Sequence, residues 1–269
     1  MSGFFVNLPL RYVARDPAYL ETFLQRGLHL ELGMDATALD ILDNAWHQDV
    51  ARRLADAGLR CAVHLPFMDL QPGSLDPRTL EASRSRLLQA LDVASLYSPH
   101  HLVGHAWYFH DLYRHFTATW QNNAADTWEL LHRHWPEHPP LYLENVFEPT
   151  PDPLVELLQA LAGRGATRIG CCLDLGHWHS FALGCRRHNL DAWLDSLFPF
   201  LGHLHLHDNT GTDDHHLGLG QGTIPWDQLF AGLAARNLHP TRTIEPHTAE
   251  DLEHSLAFMA SHPDWFPAA

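Results

Sequence analysis

The stretch HLHLHDNTGTDDHHLGLGQG, His203 to Gly222, carries five histidines in its first fourteen residues. His203, His205 and His207 recur at a spacing of two, and His215 and His216 follow the acidic pair Asp213 and Asp214. Imidazoles and carboxylates without thiolates suit Zn, Mn, Fe or Co. With 23 histidines in the chain, a solvated His-rich loop is the alternative. The same residue types stand in short apolar runs elsewhere: His64 in AVHLPF, His105 in VGHAW, Glu144 in YLENV, Asp174 and His177 in CCLDLGH, and Glu245 in TIEPH. Taken alone, His64 or His105 reads as a hydrogen-bonded core histidine. Glu144 and Asp174 are different, because a carboxylate buried unpaired in such a run is costly, so a partner cation is expected.

The elements that must position these groups follow from the apolar pattern. Eight short runs read as strands: 4–9, 29–34, 59–67, 100–107, 141–146, 169–177, 201–208 and 240–247. Amphipathic stretches between them read as helices, beginning near Pro17, Trp46, Asp76, Asp111, Asp152, Asp191, Trp226 and Ala249. In the helix from Asp76, Leu80, Leu87, Leu88 and Leu91 share a face, and Asp76-Pro77 supplies a cap and a first-turn proline. Alternating strands and helices predict an α/β fold, a single (β/α)8 TIM barrel, with a doubly wound open sheet as the alternative. No Pro/Gly/Ser linker divides the chain, so residues 1–269 are expected to form one domain. In a parallel barrel the C-terminal strand ends share one rim. His64, His105, Glu144, Asp174, His177, His205, Asp214, His216 and Glu245 would converge there, enough for several ions or for one ion with catalytic neighbours. His203 and His207 read as barrel-lining residues, or as residues that orient ligands through the other ring nitrogen. The GLGQG run (218–222) reads as a turn rather than a phosphate loop, and His132, His134 and His138 as solvated.

Composition narrows the chemistry. All 17 basic residues are arginine. The absence of lysine excludes a Schiff-base mechanism and a Walker A loop, which need its amine. The formal charge of −15 disfavours a broad grip on a nucleic-acid backbone. Cys61, Cys171, Cys172 and Cys185 form no CxxC pair and are expected to be reduced core residues. No apolar run approaches the ~18 residues of a membrane span, so a cytoplasmic protein is expected. Arg11, Arg15, Arg78 and Arg84 could each bind a phosphate or solvate a helix.

In this order and at these strand ends, VHLPF, VGHAW, LENV, LDLGH, HLHD, DDHHLGLGQG and TIEPH resemble the xylose isomerase-like TIM barrels. That superfamily holds endonuclease IV together with the sugar isomerases and epimerases. Resemblance to endonuclease IV implies a trinuclear zinc cluster. His64, His105 and Glu144 would hold the first ion. Glu144 would bridge to a second, bound also by Asp174, His205 and Glu245, and His177, Asp214 and His216 would hold the third. A metal-dependent phosphoester hydrolase is then expected, with Glu144 orienting or deprotonating the attacking water. HLHDNT departs from the HLND-x-K motif of those enzymes, and the loops after the first and third strands do not resemble their DNA-gripping loops. A small phosphate-containing substrate is therefore expected rather than DNA. The phosphodiesterases that act on the nucleotide loop of cobamides offer one candidate class. Resemblance to the sugar isomerases and epimerases implies the alternative. One Mn, Mg or Co ion would be held by Glu144, Asp174, His205 and Glu245. The two glutamates would move protons beside a carbonyl, and His177 would contact substrate.

Overall fold

The computed structural model describes residues 3–266. Eight parallel strands form a closed barrel in sequence order: β1 (Phe5–Pro9), β2 (His29–Gly33), β3 (Cys61–His64), β4 (Leu102–His105), β5 (Leu141–Glu144), β6 (Ile169–Asp174), β7 (Leu201–Leu206) and β8 (Thr241–Ile244). The pairing of Phe5 with Thr243 and of Val6 with Ile244 closes β1 onto β8, which excludes the open sheet. Each expected strand is present.

The helices return the chain between strands. They comprise α1 (Leu10–Arg15), α2 (Ala18–Arg26), α3 (Ala36–Asp40), α4 (Asn44–Asp56), α5 (Pro77–Ser95), α6 (His110–Tyr113) and α7 (Thr117–His134). The second half adds α8 (Asp152–Gly163), α9 (Leu175–Ser180), α10 (Gly184–Arg187), α11 (Leu190–Leu197), α12 (Trp226–Ala235) and α13 (Ala249–Ser261). Asp76 caps α5 as expected, its carboxylate accepting from the Arg78 and Thr79 amides. The helix expected near Asp111 is split into α6 and α7. The run 169–177 is shorter as a strand than its apolar character implies. Asp174 ends β6 by turning its carboxylate onto the His177 amide at 2.6 Å, which starts α9.

Between strands and helices lies an aliphatic and aromatic core that includes Leu30, Leu54, Val63, Leu91, Leu102, Trp128, Leu143, Leu157, Leu173 and Leu204. The barrel interior is unlike the branched aliphatic filling usual in this fold. Glu31, His101, His203, His205 and Thr243 are all fully buried there and touch one another. All four cysteines are free thiols. Cys61, Cys171 and Cys172 are buried, but Cys185 is only half-buried, in a rim segment where it donates to the Gly211 carbonyl. Among the described residues, no helix is long and apolar enough to cross a membrane.

Candidate metal centre

The barrel brings all nine residues to one rim. Strand register does much of this, pairing His105 with Glu144 and Asp174 with His205. Asp214 and His216 enter from the loop after β7, while His215 faces solvent. Asn145 locks β5 to β6: its side chain accepts from the Asp174 amide at 2.8 Å and donates to the Asp174 carbonyl at 3.2 Å.

Glu144 is the hub. Its Oε2 lies 3.1 Å from His64 Nε2, 3.2 Å from His105 Nε2 and 3.3 Å from His205 Nδ1, and its Oε1 lies 3.2 Å from His177 Nδ1. His205 Nδ1 also approaches Glu245 Oε1 at 3.4 Å and Asp174 Oδ2 at 3.9 Å. On the outer side Asp214 Oδ2 faces His177 Nε2 at 3.4 Å and His216 Nε2 at 3.1 Å. The Nδ1 atoms of His64, His177 and His216 lie 2.8, 2.9 and 2.9 Å from the carbonyls of Leu65, Asn145 and Glu245. A carbonyl can only accept, so each Nδ1 carries the hydrogen. Each Nε2 is thereby aimed at the centre of the site, where it meets a carboxylate and could instead bind a cation, as metal-ligating histidines do.

Electrostatics separate the two glutamates. Burial alone would raise Glu144, but the imidazoles of His205 and His105 hold it well below the usual carboxylate range. Burial prevails at Glu245 and raises it. Burial would lower His177, yet Asp174, Asp214 and Glu144 push it well above an ordinary histidine, and Asp214 lifts His216 to about 9. These shifts describe imidazoles that hold protons where the donor set could hold cations.

The donor set fits divalent ions. Among the described residues, eight of the thirteen buried side-chain atoms without a hydrogen-bond partner belong to this assembly. They are Glu31 Oε1, His105 Nδ1, Asp174 Oδ2, both ring nitrogens of His205 and of His207, and Asp214 Oδ1. Buried polar atoms are rarely left unpaired, so this concentration shows a donor set that an ion could complete. His64, His105 and Glu144 form one cluster that could hold an ion, and Asp174, His177 and His207 form another.

Two participants were not among the sequence candidates. Glu31 lies beneath the rim with Oε1 3.0 Å from His205 Nε2, and it accepts from Thr243 Oγ1 at 2.6 Å. The signal that marks Glu144, a carboxylate inside an apolar strand, is present in HLELGM as well and could have found it. His207, read as barrel-lining or orienting, lies among the carboxylates with Nε2 3.3 Å from Asp174 Oδ1. The glycine run 218–222 is a turn, as expected. Asp208 organises it by accepting from the Gly220 and Ile224 amides and from Trp226 Nε1.

A cavity of about 870 Å³ opens over the site. Its walls include Met34, Phe67, Trp107, Phe147 and Phe181, with Phe67 stacked on His105 at 4.4 Å and Phe181 on His177 at 5.5 Å. Of Arg11, Arg15, Arg78 and Arg84, the cavity takes only Arg11, whose Nη1 pairs with Asp35 at 3.0 Å. Arg86 also lines it and forks onto Asp40 at 2.6 and 2.9 Å.

Comparison with known proteins agrees with the barrel fold. The family described as xylose isomerase-like TIM barrel matches residues 28–262. The chain belongs to that family. A D-tagatose 3-epimerase-like protein of known structure superposes with a TM-score of 0.81 at 20% identity, covering 98% of this chain and 97% of its own. The TTHB071 protein of Thermus thermophilus, in a crystal soaked with ZnCl2, is 27% identical with a TM-score of 0.75, covering 96% of this chain and 97% of its own. The uncharacterised protein MJ1311 of Methanocaldococcus jannaschii is 27% identical over 210 residues, 74% of this chain and 69% of its own. None of these three names points to cobamide chemistry.

Proposed function

We propose that this member of the family is a divalent-metal-dependent sugar isomerase or epimerase that moves a proton at a carbon next to a carbonyl. The observation that carries this reading is the pair Glu144 and Glu245. Both reach His205 Nδ1, at 3.3 and 3.4 Å, from strand ends β5 and β8, and their surroundings push their protonation in opposite directions. Two carboxyls tuned apart in one buried site suit a base and an acid. Glu144, held ionised, takes the proton from carbon. Glu245, which holds a proton more readily, delivers one. A divalent ion held by Glu144, Asp174, His205 and Glu245 would supply polarisation of the substrate's oxygens. His177 lines the same cavity.

The cavity supports a neutral polyhydroxy substrate. Its arginines are already paired with Asp35 and Asp40, and its walls are largely apolar. A phosphate group would have to compete for those cations, so a free sugar is favoured over a sugar phosphate. The resemblance to the D-tagatose 3-epimerase-like structure supports the same class.

Metal-assisted phosphodiester hydrolysis is the second reading, and a specific observation favours it. His64, His105, Asp214 and His216 join the same rim, and a site with one ion leaves them without a role. The test is incorporation of solvent deuterium into a panel of ketoses and aldoses with Mn, Co or Mg restored, beside a phosphodiester panel. Exchange is expected with a sugar and is expected to be lost in Glu245→Gln. The variant His64→Ala with His105→Ala should leave exchange detectable. Hydrolysis of a phosphodiester that this double variant abolishes, with no sugar exchange, would overturn the proposal in favour of the second reading.

A further inference from the structure

His207 follows the last residue of β7 and is 1% exposed, yet neither of its ring nitrogens has a hydrogen-bond partner. A buried imidazole in that condition forfeits the hydration of both nitrogens. Its surroundings show what would compensate. Nε2 lies 3.3 Å from Asp174 Oδ1 and 3.5 Å from Asp214 Oδ1, outside hydrogen-bonding geometry in both cases. Asp174 Oδ2 and Asp214 Oδ1 are themselves unpartnered. His177 brings its Nε2 to the other Asp214 oxygen at 3.4 Å.

We infer that His207 is a metal ligand, sharing one divalent ion with Asp174, His177 and Asp214 on the outer side of the site. The inference rests on the reading of this rim as a metal site and adds a protein ligand to it. With metal–nitrogen and metal–oxygen bonds of about 2.0–2.1 Å, a tetrahedral ion spaces its ligand atoms roughly 3.3 Å apart. His207 Nε2 and Asp174 Oδ1, 3.3 Å apart, match that edge, while Asp214 turns Oδ1 to His207 at 3.5 Å and Oδ2 to His177 at 3.4 Å. The alternative, an ordinary hydrogen-bonded histidine, lacks a partner on either nitrogen.

Two further features hold the ring in this place. His207 stacks on His216 at 3.8 Å with an 8° tilt, and His216 stacks in turn on His247 at 3.9 Å. On the opposite flank the chain has Gly176, where a Cβ would lie 1.9 Å from His207 Cε1 and 2.3 Å from Nε2. The absent side chain leaves the space that the imidazole occupies. Asp174 thereby faces two ways, with Oδ1 to His207 and Oδ2 to His205, so one carboxylate can serve both ions. Four protein ligands on the outer ion would give it the closed shell of a structural site. Substrate would then be left to the ion at Glu144.

The test loads full-length wild type, His207→Asn and Glu144→Gln with zinc. Metal per chain is measured after dialysis, and affinity by competition with a chromogenic chelator. Wild type is expected to hold at least two ions, and His207→Asn one fewer, or one whose affinity falls by at least tenfold. Unchanged stoichiometry and affinity in His207→Asn would overturn the inference. If Glu144→Gln instead binds metal as wild type does, the catalytic reading fails while the His207 result still stands or falls by itself. A zinc anomalous map of wild-type crystals needs no variant to fold. A peak within bonding distance of His207 Nε2 is expected, and zinc peaks at the rim with none beside His207 would refute the assignment.

Discussion

Glu31 offers the most demanding check on how the rim is supported. Its Oε2 accepts from Thr243 Oγ1 at 2.6 Å and lies 3.4 Å from His101 Nε2 and 3.3 Å from His203 Nε2, while Oε1 faces His205 Nε2 at 3.0 Å. Burial would raise this carboxyl, but His205, His101 and His203 hold it well below the usual glutamate range. Glu31→Gln keeps the shape and removes the charge. A hydrogen bond to a charged group contributes about 1.5–3 kcal/mol and a neutral one about 1. Weakening the Thr243 and His101 bonds should therefore cost about 1–4 kcal/mol. In a domain of this size each kcal/mol moves Tm by about 2–4 °C, so the metal-free variant should melt about 2–16 °C below wild type. A glutamine can also turn its amide N–H toward His205, which unsettles the tautomer that leaves Nδ1 free for metal. Loss of such an orienting partner weakens metal binding by about 10–100-fold. The assays are calorimetry of metal-free protein near neutral pH and chelator competition for zinc. Because the folded-state pKa is depressed, the carboxylate contributes stability above the ordinary glutamate range and loses it as pH falls through the depressed value. The gap between wild type and variant should therefore close in acid. Melting within one degree of wild type and unaltered zinc affinity would show that Glu31 does not hold His205.

Three other outcomes follow from particular contacts. Burial pushes His203 down to about 3, so the folded chain keeps it neutral where the unfolded chain takes up a proton. Its contribution is complete above the ordinary histidine value and is lost as pH falls from there toward 3. The urea midpoint of metal-free His203→Asn should accordingly fall less steeply than that of wild type between about pH 6.5 and 4, and parallel profiles would contradict this. Gly176→Ala should displace His207, with an overpacking cost of about 1–3 kcal/mol and a loss of bound zinc, both read from melting and elemental analysis. Unchanged values for both would mean that the ring moves aside freely. Restoring metal at about 100 times its Kd should stabilise the stripped protein by about 2.7 kcal/mol per site, and an apo protein that melts at the holo temperature would argue against a metal centre.

Much of this was legible in the sequence because a parallel barrel is regular. Short apolar runs located all eight strands, and the shared C-terminal rim brought together residues from His64 to Glu245 without any contact information. The sixth strand reads too long because LDLGH is apolar enough to continue it. What ends it is the Asp174 carboxylate capping α9, a local bond that hydropathy does not register. The short helices α1, α3 and α10 have too few turns to show a period. His207 shares the alternation of His203 and His205, but alternation gives a face and not a depth. Its role depends on Asp214, seven residues away across a loop. The choice between a sugar and a phosphodiester was obscure for another reason. The proposed preference for a sugar draws on the pairing of Arg11 and Arg86, and their partners Asp35 and Asp40 lie on other elements.

The interior and the rim use the same residue types in opposite ways, and the contrast shows where an ion could bind. Glu31, His101 and His203 are close enough to hold an ion. Their polar atoms are nevertheless largely committed. His203 Nδ1 and Nε2 lie 2.7 and 3.0 Å from the Thr241 and Thr243 hydroxyls, His101 bonds His100 and Glu31, and Glu31 Oε2 takes the Thr243 hydroxyl. An ion there would have to displace bonds already made, in a layer with no exposed side chain among those three. One step higher, at His205, His207, Asp174 and Asp214, the same chemistry is left open. The lower layer is a largely satisfied network that stiffens the barrel and backs His205. The upper layer is unsatisfied, and that unsatisfied chemistry is what a divalent cation would complete.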